Sequence, residues 1–553
     1  MTSGAWMTLR GFRGSQRGRV GLVSCGSRLV RILVVAGFTL LLSAWVGSNA
    51  PGFGPDEPAN FVKEVGAGTG QWTGSPGRLA HPAFGTQPGA AERIDWINRN
   101  SRVFELPTGL DPGAAGFPCD LFRNWLSARC LHRPHSHPPA TRALTYVGTY
   151  EPYVYAIPGT AMARAHSALA ALYTGRAVSA LLVAGLLAVA VTAAWEDRAG
   201  PISQVGVLLA VSPMVLFMGS VLGTNGIEIA GALALYTVAL RMGREAAAPR
   251  WTWLAAGVIA ALLALSRATG PAWVVLAPLL GIAFAQRVPH QPSDERHRLR
   301  RRSPRRIRPR MAWLLLPAAG IAATAAWERA VQPHPNTRWE VAVAGLRRLP
   351  VDTHAWTRQW VGVFGWASIP MPTYAYRLWW IAVIVLVLVA FAVASWRARL
   401  GLAAVLVAGA ALAVALDVLV LRQTRFPVYG RYLLPLAVAL PLAAGEIVTR
   451  RAATLRTATR GVLQITVPLI VAATHLVALW ADARRFAVGV GGPVWFLPHA
   501  QWAPPGGWLP WLALTVAGTT CLVACAIIGA LTAGRTALVH LPAPGPPRRR
   551  PVR

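Results

Sequence analysis

Residues 176–194 read RAVSALLVAGLLAVAVTAA, and after the opening arginine none of the following eighteen carries a charge. About 20 predominantly apolar residues are what an α-helix needs to cross the hydrocarbon core of a bilayer. A helix on the surface of a soluble protein would carry a charged face instead. Eleven further runs of this kind occupy 31–48, 201–219, 226–240, 251–266, 270–285, 312–331, 378–395, 401–421, 432–447, 462–480 and 509–531. Over all 553 residues the chain is 54% hydrophobic and only 14% charged, with a mean hydropathy of +0.43. Soluble domains carry about a quarter charged residues, so an ordinary soluble enzyme and a nucleic-acid-binding protein are both excluded. The expected fold class is an all-α integral membrane protein with about 12 transmembrane helices.

The 54 Lys plus Arg against 21 Asp plus Glu leave a net charge of +33, and Lys63 is the only lysine. Basic residues concentrate in cytoplasmic loops of membrane proteins. With the N-terminus inside, cytoplasmic segments collect +26 of the +33, while residues 49–175 fall outside with ten basic and nine acidic side chains. The expected layout is a basic cytoplasmic N-terminus (1–30), a first transmembrane helix (31–48) and a long extracytoplasmic loop (49–175). Helices two to six (176–286), a basic cytoplasmic loop (287–311) and helix seven (312–331) follow. A second outer loop (332–377), helices eight to twelve (378–531) and a disordered cytoplasmic tail (532–553) complete it. Both termini are then cytoplasmic and the protein is a multi-pass protein of the inner (plasma) membrane. Residues 153–172 are apolar, but Arg164 and His166 interrupt them, which predicts an interfacial helix rather than a thirteenth span. The first run reads as an anchor and not as a cleaved leader, because it spans a full bilayer. The basic stretch 295–310 and the proline-rich tail 542–553 read as solvated segments near anionic lipid.

A loop as long as 49–175 is usually functional or disordered, and Trp72, Trp96 and Trp125 provide material for a core here. Cys119 and Cys130 lie in it, on the oxidising side, and are expected to form a disulfide. Cys25 is cytoplasmic, and Cys521 and Cys525 read as packing residues of the last span. The loop opens with Gly54-Pro55-Asp56-Glu57-Pro58-Ala59-Asn60-Phe61-Val62-Lys63-Glu64-Val65. An acid before Pro and an apolar periodic run fits a helix N-cap, with a second acid favoured by the helix dipole. The same two carboxylates, just outside the first span, could accept a proton from an acceptor hydroxyl or hold a divalent cation such as Mg2+ or Mn2+. Both readings of Asp56 and Glu57 stand, and one residue can serve both. His132, His135 and His137 are a weaker metal candidate, since Pro134, Pro138 and Pro139 make their stretch irregular.

Arginines at outer span ends run against the positive-inside bias and need another explanation. Arg267 ends the fifth run, and Arg422, Arg425 and Arg431 share one outer turn with Phe426, Tyr429 and Tyr432. Arg347, Arg348 and Arg358 accompany Trp356, Trp360 and Trp366 in the loop 332–377. Guanidinium groups pair bidentately with phosphate and stack on aromatic rings, so the set suits a lipid phosphate with aromatic surfaces for a sugar. Plainer readings are that Asp417 pairs with Arg422 and that Arg347 and Arg348 meet ordinary phospholipid. Glu228 reads as a structural partner for one of these arginines. No Walker motif, dinucleotide fingerprint or serine elbow is present, which argues against soluble nucleotide donors.

In order along the chain, several stretches resemble a known family. They are Pro55-Asp56-Glu57-Pro58-Ala59-Asn60-Phe61, Ser212-Pro213-Met214-Val215-Leu216-Phe217, Asn225-Gly226-Ile227-Glu228-Ile229 and Ser266-Arg267-Ala268-Thr269-Gly270-Pro271. Phe364-Gly365-Trp366 with Pro370-Met371-Pro372, and Tyr429-Gly430-Arg431-Tyr432-Leu433-Leu434-Pro435, complete the set. Together they resemble bacterial polytopic proteins classed as domain of unknown function twenty-one forty-two, which is grouped with the C-type membrane glycosyltransferases. Ser368, where that pattern has an acid, and Gly223-Thr224, where it often has Asn-Pro, depart from it. The resemblance implies transfer of a sugar from a polyprenyl-phosphate donor to an envelope glycan or lipid on the outer face. It makes Asp56 the candidate base, with Glu57 as its neighbour or metal partner. Arg431 and Arg267, followed by Arg425, Arg422, Tyr429 and Trp366, become candidate contacts for lipid phosphate or sugar. A transporter or flippase of lipid-linked sugars, or a non-catalytic envelope-assembly protein, are the alternatives. Few polar residues deep in the spans weigh against a translocation path.

Overall fold

The computed structural model describes residues 7–79, 89–113, 115–117, 119–132, 140–245, 248–285, 308–332 and 340–539. It is mostly helical. In chain order the helices are α1 (Met7–Ser48), α2 (Glu57–Gly68), α3 (Ala90–Asn100), α4 (Pro152–Met162), α5 (Ala168–Ala194) and α6 (Val205–Ala210). Next come α7 (Pro213–Gly219), α8 (Asn225–Arg244), α9 (Arg250–Ala264), α10 (Gly270–Ala283), α11 (Arg308–Val331) and α12 (Glu340–Gln359). The last six are α13 (Thr373–Val393), α14 (Trp396–Thr424), α15 (Gly430–Ala437), α16 (Ala439–Arg450), α17 (Thr457–Val488) and α18 (Leu509–Val539).

All twelve apolar runs are helical, and among the described residues eight helices are long and apolar enough to cross a membrane. A ninth is counted if 200–210 and 213–219, bent by 67°, form one broken span. The bend falls at Ser212-Pro213, where proline supplies no N–H to continue the helix. The remaining runs fall short. Helices α9 and α10, of 15 and 14 residues, are shorter apolar helices, only about 22 Å long at 1.5 Å per residue against a core of about 30 Å. Helix α11 is not among the eight. This is a membrane protein with several apolar helices.

Several boundaries differ from the sequence reading. Helix α1 reaches back to Met7, and α18 runs to Val539, into what reads as a disordered tail. The segment 153–172 is two elements: α4 ends at Met162, and residues from Ala168 onward already belong to α5, capped by Ser167, whose hydroxyl accepts from Ala170 N–H. The rest of the tail (540–553), most of the basic loop 287–311, and His135 and His137 lie outside the described residues.

The long 49–167 segment is not purely helical. Strands β1 (Ser75–Pro76), β2 (Arg102–Glu105) and β3 (Arg142–Thr145) form an antiparallel sheet with Val103 opposite Leu144 and Phe104 opposite Ala143. Such short strands give too little alternation to read from sequence. The sheet lays Phe104 on Phe61, Val62 and Val65 of α2, with Phe117, Met162 and Leu172 closing a small core. A second hairpin pairs β4 (Val363–Phe364) with β5 (Ile369–Pro370).

One end of the helical bundle gathers described parts of this segment with the 340–372, 422–430 and 489–508 connections, joined by Arg93 to Arg425 O, Asn124 to Ser368 O and Val490 N–H to Asn124 O. At the other end Arg244 pairs with Glu196 and Glu446, and Arg460 caps Ala199 O. The described residues of the segments 195–200, 241–245 and 449–461, grouped by their charge, thus meet at one end.

Candidate functional site

The segment after α1 is built around a buried ion pair. Arg176 of α5 meets both Glu57 carboxylate oxygens, Nε to Oε1 at 2.7 Å and Nη2 to Oε2 at 2.6 Å, and neither side chain is exposed. The same guanidinium donates to the carbonyls of Val46, Asn49 and Ala50, closing the free end of α1. The Glu57 oxygens also accept from the N–H groups of Gly52, Gly54 and Leu222. Every lone pair of Glu57 is spoken for, so it is a structural anchor here and not a free ligand or base.

Asp56 behaves differently. It occupies the N-cap position of α2 at φ 57°, a left-handed conformation uncommon outside glycine, and its side chain makes no capping hydrogen bond. The N-cap role read from the motif is therefore positional only. Its Oδ1 accepts from the Tyr146 hydroxyl at 2.8 Å, and its Oδ2 faces Arg431 Nη2 at 3.2 Å. The positive φ turns residues 56 and 57 apart, one carboxylate toward Arg431 and the other into the bundle.

Arg431 and Arg267 share one aromatic ring. Arg431 lies over Tyr429 at 4.4 Å and Tyr432 at 4.7 Å, and Arg267 lies over the same Tyr432 at 4.8 Å and over Tyr150 at 5.7 Å. Glu228 orients Arg267 from below at 3.9 Å and is itself held by Thr269 and Trp273, and Arg267 also reaches Asn225. The structural partner role read for Glu228 is what the geometry presents. Asp56, Arg431, Arg267 and Tyr429 thus stand together, although they come from three separated stretches.

The other named residues do not join them. Arg425 takes the left-handed C-cap of α14 at φ 62° and offers its carbonyl to Arg93. Arg422 stands in the last turn of α14, and Asp417 accepts from Val428 N–H instead of pairing with it. Trp366 packs edge-on against Phe122 at 5.9 Å. Cys119 and Cys130 form a disulfide.

Sequence reasoning missed Tyr146, Tyr150, Asn60 and Arg176. Tyr155 donates to Asn60 Oδ1, and Asn60 donates to Leu222 O, tying α2 to α4 and to the turn before α8. The pair Tyr146 and Tyr150 in a loop carrying the candidate acid was the available signal. Flanking the site, Lys63 donates to Trp72 O and Gly148 O, and burial, opposed by Glu151, pulls its ammonium down to about 7. Burial first, and a carboxyl–carboxyl hydrogen bond to Glu328 second, push Glu151 up to about 8. Burial also holds Glu64 well above the usual carboxylate range.

A resident divalent cation does not fit this donor set. Asp56 is engaged by a phenol and a guanidinium, Glu57 points elsewhere, and among the described residues no three His, Cys, Asp or Glu side chains cluster as metal ligands.

A family model described as "Predicted membrane protein (DUF2142)" matches residues 38–440. The chain belongs to that family. The match takes in the Asp56 motif, Arg267, the β4–β5 hairpin and Arg431. The family's description names no reaction. No curated protein and no solved structure matches the chain.

Proposed function

We propose that this family member is a membrane glycosyltransferase that moves a sugar from a polyprenyl-phosphate donor to an envelope glycan or lipid on the extracytoplasmic face. The single observation that carries the reading is the convergence of Asp56 with two arginines that both approach the Tyr432 ring. Arg431 pairs with Asp56. A donor phosphate offers Arg431 and Arg267 a better bidentate partner and frees the carboxylate. Asp56 then takes the proton as the acceptor oxygen attacks the anomeric carbon, and the carbon–phosphate-oxygen bond breaks with its electrons leaving on the phosphate. Attack opposite the leaving group inverts the anomeric centre. Tyr146 holds Asp56 in place, and this reading gives Arg425, Arg422 and Trp366 no part at the reacting carbon.

The reading places the 49–167 segment outside, the arginine-rich end in the cytoplasm and about twelve crossings in the inner (plasma) membrane. Helices α9, α10 and α11 are then short or oblique crossings. The test is a transfer assay: membranes holding the protein should move radiolabelled sugar from at least one polyprenyl-phosphate sugar to envelope material. No transfer across a panel of hexose and pentose donors contradicts the reading.

One observation favours the transporter alternative. Helix α17 extends to Val488, and its buried Gln464, His475 and Asp482 place polar groups deeper in the bundle than the sequence reading expected. Uptake or flipping of a labelled lipid-linked sugar by protein in vesicles, with no covalent transfer, is the result that would select it.

A further inference from the structure

The disulfide closes a loop whose backbone is pinned on several sides. Asn124 Nδ2 donates to Ser368 O at 3.0 Å, Asn124 O accepts from Val490 N–H at 2.9 Å, and Arg485 Nη1 donates to Leu126 O at 2.7 Å. Ser127 adds a bond to Gln501 Oε1 at 2.9 Å. A loop held this firmly could bury its large apolar side chains, yet Phe122 is 69% and Trp125 65% exposed. Large apolar rings left in the open on a fixed frame mark a contact surface. Phe122 meets Trp366 edge-to-face at 5.9 Å, so the loop and the β4–β5 hairpin present their rings together. Two buried polar atoms in the same place lack partners: the Trp366 Nε1–H, a donor, and the Asn124 Oδ1, an acceptor. The hairpin tip also holds Ala367 at φ 57°, a conformation that costs energy outside glycine.

We propose that Phe122, Trp125, Trp366 and Asn124 form a carbohydrate platform that grips a glycan chain away from the reacting sugar. This rests on the reading that the protein acts on glycans and names where the acceptor is held. A sugar ring offers an apolar face of C–H groups to the aromatic rings and hydroxyls to the waiting donor and acceptor. Lipid tails would satisfy the rings and leave both polar atoms unpaired.

The experiment uses the full chain in phospholipid nanodiscs, with no donor present. Binding is read on an array of hexose and pentose oligosaccharides and bacterial envelope polysaccharides. The wild type should bind a subset of glycans. Phe122→Ala with Trp125→Ala should weaken that binding at least about tenfold, with thermal unfolding unchanged. Trp366→Phe, which keeps a ring and removes the N–H, should weaken it several-fold. Absence of glycan binding by the wild type, or equal binding by the variants, overturns the platform. In nanodiscs of brominated lipid, greater quenching of the wild type than of Trp125→Phe would put this ring in the membrane and also overturn it. Asp56→Asn should bind the same glycans. Glycan binding without any sugar transfer would leave the platform standing and remove the glycosyltransferase reading alone.

Discussion

Asp56 and Glu57 are neighbours with opposite fates, and the divergence is a backbone effect. A left-handed residue at 56 reverses the local direction of the chain, so adjacency in sequence does not become adjacency of carboxylates. That is why the motif showed a pair where the structure has one anchor and one candidate base. The anchor has a measurable consequence. Removing one partner of a buried ion pair leaves an uncompensated charge and costs about 3–5 kcal/mol. Arg176→Gln should therefore lower stability by about that amount in denaturant unfolding in detergent, whereas a change near zero would show the pair to be dispensable. Glu151 makes a second prediction. Its carboxyl is raised to about 8, so the folded state holds a proton that the unfolded chain has lost. Stability from this group is complete below the ordinary carboxylate range and is lost as pH rises through about 8. Lys63, lowered to about 7, acts in the opposite sense: its cost is absent above the ordinary lysine range and grows as pH falls to about 7. Glu151→Gln should flatten the decline between about pH 5 and 8 while leaving the rise above pH 8 that comes from Lys63. An unchanged profile in thermal unfolding against pH would refute the assignment.

At the scale of elements, the helix that carries Asp56 is seated by glycines. A Cβ on Gly159 of α4 would lie 1.8 Å from Glu64 O, and one on Gly68 of α2 would lie 2.1 Å from Gly159 C. Helices α2 and α4 touch backbone to backbone there, which brings Tyr155 to Asn60. Gly159→Val should force the pair apart, cost about 3 kcal/mol and disturb Asp56 from more than two turns away. Thermal unfolding of the purified variant checks this, and a wild-type midpoint would contradict it. The apolar runs were legible as helices because a run of about 20 residues without charge has few alternatives. Their ends were not, since α17 keeps Asp482 and Arg485 inside a helix that hydropathy alone closes at 480. The small sheet was illegible for the opposite reason: its strands are too short to show a period.

For the whole molecule, charge and tertiary structure give complementary information. The arginines sort the connections into two sets and predict the basic set to be cytoplasmic, and the described contacts bring members of each set together. Asp56, Arg267 and Arg431 were each legible as residues in the wrong chemical company for their place. Their convergence was not, because Tyr432 and Tyr150 link them only after folding. Orientation is testable with single cysteines in a background whose other three cysteines, Cys25, Cys521 and Cys525, are changed to Ser while the Cys119–Cys130 disulfide is kept. Glu105→Cys and Gln501→Cys should react with a membrane-impermeant maleimide on intact cells, and Arg198→Cys and Thr454→Cys should react only after lysis. The reverse pattern would invert the topology and put Asp56 on the cytoplasmic side. The central claim is that Asp56 takes the acceptor proton. Its most direct test is the rate of sugar transfer from a polyprenyl-phosphate donor by Asp56→Asn, measured beside wild type at matched folding and expression. Loss of a general base predicts a fall of about a hundredfold to ten-thousandfold in kcat with the donor KM little changed, whereas a variant that transfers sugar at the wild-type rate would contradict the account.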